Sequence, residues 1–99
     1  MASVTAAPID RDRVIADLRA SRQTRRDLIQ TSDGQRHSRR EPSEVIVALR
    51  ESFWVERNAR SVGVNVPPEL EIRYRDVARL ASVCGLPIDE LLRATGPTR

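Results

Sequence analysis

Residues 77–92 read VARLASVCGLPIDELL, and this stretch carries the clearest fold signal in the chain. Its first half repeats apolar residues at the three- and four-residue spacing of an amphipathic helix. Gly85 is expected to end that helix in the left-handed conformation that favours glycine. Pro87 then stands at the start of a short second helix, whose acidic first turn, Asp89 and Glu90, suits the positive end of the helix dipole. The stretch therefore predicts two helices joined by a glycine corner.

The N-terminal part of the chain also has a helical pattern. Asp10 can cap a helix that runs to about Ala20. The polar segment 21–24 interrupts its apolar stripe, either as a kink or as the link to a second helix opened by an approximate capping box at Thr24. Residues 31–42 contain a turn dipeptide, polar residues and a proline, so we expect an exposed loop there.

Two more helices are predicted between this loop and the corner. Ser43 is expected to cap a helix of about 16 residues, and Pro67-Pro68 to open another that reaches Cys84. The inward-facing residues of the second of these helices are predicted to be Leu70, Tyr74, Val77, Leu80 and Ala81. Between the two helices, residues 61–66 alternate strictly as SVGVNV, which is typical of a short strand or an extended linker.

The predicted fold class is mainly α: a small helical domain of about four to five helices, with a short strand or an extended linker at 61–66. Residues 1–42 are predicted to form a basic N-terminal helical arm and loop, and residues 43–99 a helical body. The stable unit is expected to run from Ser43 to about Thr95. Residues 31–42 contain no Val, Ile, Leu or aromatic residue, so that loop is expected to be mobile. The tail at 1–8 consists mainly of small residues and is expected to be mobile too. Leu80 is expected to lie in the core.

Basic charge is concentrated near the N-terminus. All 17 basic residues are arginine, a usage that fits genomic codon bias as well as a binding role, and the formal net charge is only +3. Residues 11–40 hold nine arginines and four aspartates, whereas residues 41–99 hold eight arginines and nine acidic residues. This asymmetry predicts a basic N-terminal segment attached to a near-neutral body.

The sequence predicts no catalytic or metal site. His37 is the only histidine and Cys84 the only cysteine, which is too few for a zinc site or for a second catalytic histidine. Cys84 stands at the C-terminal end of a predicted helix, where the dipole opposes a thiolate, and it is expected to be a packing residue. We therefore expect a binding protein that is not an enzyme and has no cofactor.

The expected location is the cytoplasm. A single cysteine can form no intrachain disulfide, which fits a reducing compartment. No apolar run approaches the ~20 residues of a membrane span, and the N-terminus lacks the hydrophobic segment of a signal peptide. A domain of this size buries a limited share of its surface, so a homodimer is a reasonable expectation.

Residues 77–92 resemble the end of an Xre-type (phage-repressor-like) helix-turn-helix domain. Members of that family often finish with L-A-x-x-x-G, a hydrophobic residue and D-E-L-L. The segment 18–28, LRASRQTRRDL, also looks loosely like the opening helices of the family. The resemblance implies a small DNA-binding repressor or antitoxin.

A second resemblance begins further upstream. Residues 62–70, VGVNVPPEL, followed by a helix, Gly85 and the segment ELLR at 90–93, resemble a ribbon-helix-helix (CopG-like) repressor. In that family an alternating strand pairs with its dimer mate and the ribbon enters the major groove. The resemblance implies that Asn65 faces outward and reads a base edge, since its amide can both donate and accept there.

The predicted function is therefore a DNA-binding transcriptional regulator, of the repressor or antitoxin type, whose arginines contact phosphates. The candidate DNA-binding residues are Arg22, Arg25, Arg26, Arg36, Arg39, Arg40 and Asn65. The alternative is a helical protein-interaction module, an adaptor or antiactivator that binds and masks a partner protein. Phe53 and Trp54 favour this alternative. Adjacent helical positions differ by about 100°, so both rings cannot easily share one buried face, and an exposed tryptophan is a favoured interface anchor.

Overall fold

The described part of the chain folds into four α-helices and one 3-10 turn. The structure is a computed structural model that describes residues 9–34 and 40–96. For residues 31–34 it describes the backbone alone. The elements are α1 (Arg11–Gly34), α2 (Pro42–Ser61), the 3-10 turn (Pro68–Leu70), α3 (Tyr74–Cys84) and α4 (Ile88–Thr95). The prediction of a small, mainly helical domain is confirmed.

Residues 61–66 form no strand, and the described ranges contain none. Ser61 is the last residue of α2, and Gly63 then adopts a positive φ of 81°, which turns the chain. The backbone N–H of Val64 donates to the carbonyl of Ala59 at 2.8 Å, and the Val64 side chain is buried. Residues 61–66 therefore form the end of α2, a turn and a short irregular segment that folds back on α2. The strand alternative is wrong, because no described segment lies beside it as a partner strand.

Helix α1 is one continuous helix where a kink or a link between two helices was predicted at 21–24. The polar residues of this segment do not break the helix because they have partners inside the fold or on the helix itself. The hydroxyl oxygen of Ser21 lies 2.7 Å from that of Ser52 in α2. Thr24 donates through Oγ1 to the carbonyl of Ala20, one turn earlier, and so does not cap a new helix.

The start of α1 and the end of α3 agree with the sequence, whereas the start of α2 does not. The Arg13 N–H donates to Oδ1 of Asp10 at 3.1 Å, which is the predicted cap of α1. Gly85 ends α3 with a φ of 75°, as the glycine corner requires. Helix α2, however, begins at Pro42 without a side-chain cap, so the predicted Ser43 cap is wrong. Proline suits this first position because its missing N–H would have had no partner in the helix.

Helix α3 begins later than predicted. A 3-10 turn and a short extended segment follow the diproline, and the Ile72 N–H in that segment donates to Oε2 of Glu56 at 3.0 Å. This break lets Leu70 and Val77 enter different parts of the core. Tyr74, predicted to face inward, is instead the first residue of α3 and is 70% exposed.

The core consists of two apolar clusters. The first contains Leu28, Ile29, Val45, Leu49, Val77, Leu80, Ala81, Cys84 and Leu91. The second contains Val14, Leu18, Val55, Ala59, Val64 and Leu70. Along α1 and α2, the polar residues Ser21, Arg25 and Ser52 lie between the two clusters and are hydrogen-bonded to one another; we call these three residues the polar layer. Leu80 is fully buried in the first cluster, as predicted.

Helix α1 belongs to the packed body, so the predicted division into an arm at 1–42 and a body at 43–99 does not match the packing. Leu28 and Ile29 lie in the same cluster as residues of α2, α3 and α4. The apolar stripe of α1 is buried only by contact with these other helices, which is why it does not behave as a separate arm.

The predicted loop at 31–42 is also shorter than expected. Residues 31–34 continue α1, and Pro42 already belongs to α2. Residues 1–8 and 35–39, including His37, lie outside the described residues. The predicted mobility of these two segments stays a prediction.

Candidate anion-binding groove

A groove of about 520 Å³ runs between α1 and α3, and we call it the arginine groove. Its lining residues are Arg22, Arg25, Arg26, Ile29, Gln30, Glu69, Glu71, Arg73, Arg75, Asp76 and Arg79. Six of these residues are arginines and three are carboxylates. The excess of three positive charges in this one groove equals the formal net charge of the whole chain.

Helical spacing explains how the arginines come to line one groove. Arg22 and Arg26 are four residues apart on α1, and Arg75 and Arg79 are four residues apart on α3, so each pair projects from one face of its helix. The first apolar cluster joins the two helices through Leu28 and Ile29 on α1 and through its α3 residues. This packing brings the two rows of arginines to opposite walls.

None of the six arginines forms an ion pair with a side chain in 9–30 or 40–96. The ion pairs that do form in these ranges engage Arg40, Arg60 and Arg93 instead. Arg60 also holds Glu71, one of the three groove carboxylates, at 3.3 Å. Cations that share a concave surface without ion-pair partners make that surface attractive to an anion.

Arg25 differs from the other groove arginines because it is buried, with 3% of its surface exposed. Its Nη1 donates to the hydroxyl oxygens of Ser21 and Ser52 at 3.0 and 2.9 Å. Its Nη2 donates to the carbonyl oxygen of Leu70 at 3.3 Å. All three acceptors are neutral, so the guanidinium is fixed in place while its charge is not neutralised by contact.

The electrostatic surroundings of Arg25 act in both directions. Burial lowers the pKa of Arg25 below its ordinary value, the negative charges of Asp76 and Glu56 raise it, and the neighbouring Arg22 lowers it. An arginine guanidinium nevertheless stays protonated in proteins. Arg25 therefore contributes a fixed positive charge to the wall of the groove.

Three of the arginines predicted to bind DNA line the groove. Arg26 is exposed and Arg22 is half-buried, so both can be reached from solvent. Arg25 was also expected to contact a phosphate, and the structure places it in the buried part of the groove wall. The physical reason is that Arg25 bridges α1 to Ser52 of α2 within the polar layer.

The other predicted DNA-binding residues do not join the groove. Arg40 forms an ion pair with a carboxylate of α2, and its backbone N–H donates to the carbonyl of Val83 at 2.9 Å. Asn65 is exposed in the linker after α2 and lacks the strand on which its base-reading role depended. Arg36 and Arg39 lie outside the described residues.

The second wall of the groove, which is formed by Arg73, Arg75 and Arg79, was not predicted from the sequence. The net charge of residues 41–99 did not reveal these arginines, because acidic residues elsewhere in that range offset their positive charges. A shorter window would have shown them: residues 72–79, IRYRDVAR, hold three arginines and one acidic residue.

The two adjacent aromatic residues of α2 lie in different surroundings. Phe53 is half-buried and packs against the first apolar cluster, whereas Trp54 is 61% exposed. Val47, two helical turns before Trp54, is 59% exposed and lies on the same face of the helix. Trp54 also borders a second groove, of about 220 Å³, between α1 and α2. We call the surface formed by Val47 and Trp54 the α2 outer face.

Within the described ranges, no helix combines the length and the apolarity that crossing a membrane requires. The chain matches no protein-family model, and no curated protein or solved structure is significantly similar to it.

Proposed function

We propose that this protein is a cytoplasmic DNA-binding regulator, of the repressor or antitoxin type, that holds the phosphate backbone along the arginine groove. The observation that carries this proposal is the concentration of six arginines, none with an ion-pair partner in the described part of the chain, around one groove with an excess of three positive charges. The resemblance of residues 77–92 to the end of a repressor domain supports the same function.

The accessible arginines suit phosphate contacts. Arg26, Arg75 and Arg79 are exposed on the two walls of the groove. A guanidinium presents planar, paired donors that match phosphate oxygens. Each phosphate neutralised in this way releases counterions, so the affinity should fall steeply as salt concentration rises.

The test is a titration of fluorescently labelled duplex DNA, followed by anisotropy, at several salt concentrations. The groove variant carries Arg26→Ala, Arg75→Ala and Arg79→Ala. The matched control carries Arg13→Ala, Arg19→Ala and Arg57→Ala, three exposed arginines that do not line the groove. Both variants lose the same charge.

The groove variant should bind DNA at least tenfold more weakly than the wild type. The slope of log affinity against log salt should decrease by about one unit for each phosphate that the variant no longer neutralises. The control should keep most of its affinity. If DNA binding weakens equally in the two variants, the interaction depends only on the overall charge of the protein and not on the groove. Absence of DNA binding by the wild type at low salt would overturn the proposal.

A second candidate function is protein binding through the α2 outer face. Its specific support is the exposure of Trp54 and Val47 on one side of α2. A tryptophan in this position can anchor a contact with an apolar pocket of another protein. The expected homodimer is the simplest such partner. Sedimentation at increasing concentration tests it: a dimer that forms in the wild type and is lost in Trp54→Ala supports this surface, and a wild type that stays monomeric contradicts the homodimer.

A further inference from the structure

The arginine groove contains one positive charge that is almost completely buried. Arg26, Arg75 and Arg79 are exposed on its walls, whereas Arg25 lines the same groove with only 3% of its surface exposed. A phosphate within a duplex backbone can contact the exposed arginines from outside. Only a group small enough to enter the groove can contact Arg25.

Arg25 also has hydrogen-bonding capacity left over. A guanidinium carries five N–H donors, and the described acceptors take three of them: two on Nη1 and one on Nη2. The remaining Nη2 donor and the Nε donor have no acceptor among the described residues. A buried donor without a partner is costly, so an acceptor that enters the groove would be bound favourably.

The size of the groove suits a small molecule. Its volume of about 520 Å³ falls within the range of pockets that bind small ligands, roughly 300–1,000 Å³. The walls supply five further arginines, which favour a ligand with more than one negative charge. Phosphate esters and pyrophosphate groups have this chemistry.

We propose that the arginine groove is also an effector site, in which a small phosphate-bearing ligand contacts Arg25 and competes with the phosphates of DNA. The ligand-binding part rests on the geometry of Arg25, and the competition rests on the proposed function. A regulator with this arrangement would release DNA when the ligand accumulates.

Pyrophosphate is a suitable probe for the full-length chain. Its binding is measured by isothermal titration calorimetry, with ionic strength held constant by sodium chloride. Arg25→Gln removes the buried charge but keeps an amide that can donate to the serine hydroxyls of the polar layer. Arg57→Gln is the matched control, since Arg57 is exposed and does not line the groove.

We expect one pyrophosphate per chain, at least tenfold weaker binding in Arg25→Gln, and unchanged binding in Arg57→Gln. Far-UV circular dichroism checks that Arg25→Gln is folded. Asp76→Asn provides an independent variant, because it removes a negative charge beside Arg25 and should tighten pyrophosphate binding several-fold. If the wild type binds no pyrophosphate, or if Arg25→Gln and Asp76→Asn both bind it as the wild type does, the site is overturned.

Competition is tested by adding pyrophosphate to the complex with labelled DNA. Release of DNA beyond that caused by sodium chloride of equal ionic strength supports the effector role, and equal release overturns it. If the wild type binds pyrophosphate in an Arg25-dependent way but binds no DNA, the anion site stands. The proposed DNA function and the competition would then both be wrong.

Discussion

The guanidinium of Arg25 in α1 donates a hydrogen bond of 2.9 Å to the hydroxyl oxygen of Ser52 in α2, between two apolar clusters. The hydroxyl oxygen of Ser21 lies 2.7 Å from the same Ser52 oxygen. A polar group in a protein core is tolerated only where hydrogen-bond partners lie within bonding distance of it. The polar layer therefore favours one register of α1 against α2, and it holds Arg25 at the wall of the arginine groove.

Ser52→Ala should destabilise the fold by about 1–3 kcal/mol, because it removes an acceptor from a buried, charged donor. The measurement is urea denaturation followed by circular dichroism. Ser82→Ala is the control, since Ser82 is an exposed serine of α3, and its effect should stay within about 0.5 kcal/mol. Equal effects of the two substitutions would mean that the polar layer contributes nothing to stability.

Leu80→Ala should cost about 2–5 kcal/mol, because Leu80 is fully buried in the first apolar cluster and its truncation leaves a cavity. For a small domain that loss approaches the whole free energy of unfolding. Val47→Ala, on the exposed α2 outer face, should change stability by no more than about 0.5 kcal/mol. Denaturant titration of both variants measures these changes in the free energy of unfolding. A small loss of stability in Leu80→Ala would contradict the burial of Leu80 in the core.

Asp76→Asn should strengthen DNA binding several-fold at low salt, because it raises the excess positive charge of the arginine groove by one unit. The difference should shrink as salt screens the groove. Asp89→Asn changes the net charge equally, but Asp89 is exposed on α4 and does not line the groove. Anisotropy titrations that show the same gain for both variants would assign the effect to net charge alone.

Trp54 should report directly on the second candidate function. It is the only tryptophan of the chain and is 61% exposed, so its fluorescence should have the long-wavelength emission of an indole in water and should be readily quenched by iodide. Burial against another protein should shift the emission to shorter wavelength and reduce quenching. Unchanged fluorescence in a complex would place the contact away from the α2 outer face.

The sequence by itself determined the helical class and the corner between α3 and α4. These features depend on residues close together in the chain: apolar spacing selects the helix, and Gly85 supplies the left-handed conformation with a φ of 75°. The burial of Leu80 and the cap at Asp10 could be predicted for the same reason. The alternation at 61–66 misled the prediction, because a strand needs a partner that local pattern does not reveal.

Only the tertiary structure decided the continuity of α1, the burial of Arg25 and the second wall of the arginine groove. Arg25 donates hydrogen bonds to Ser52 and Leu70, which are 27 and 45 residues away along the chain. Local pattern predicts a solvated charge at such an arginine, because its partners are contributed by distant segments. The groove likewise requires two arginine rows on separate helices, and their approach depends on the packing of the apolar cluster that joins α1 to α3.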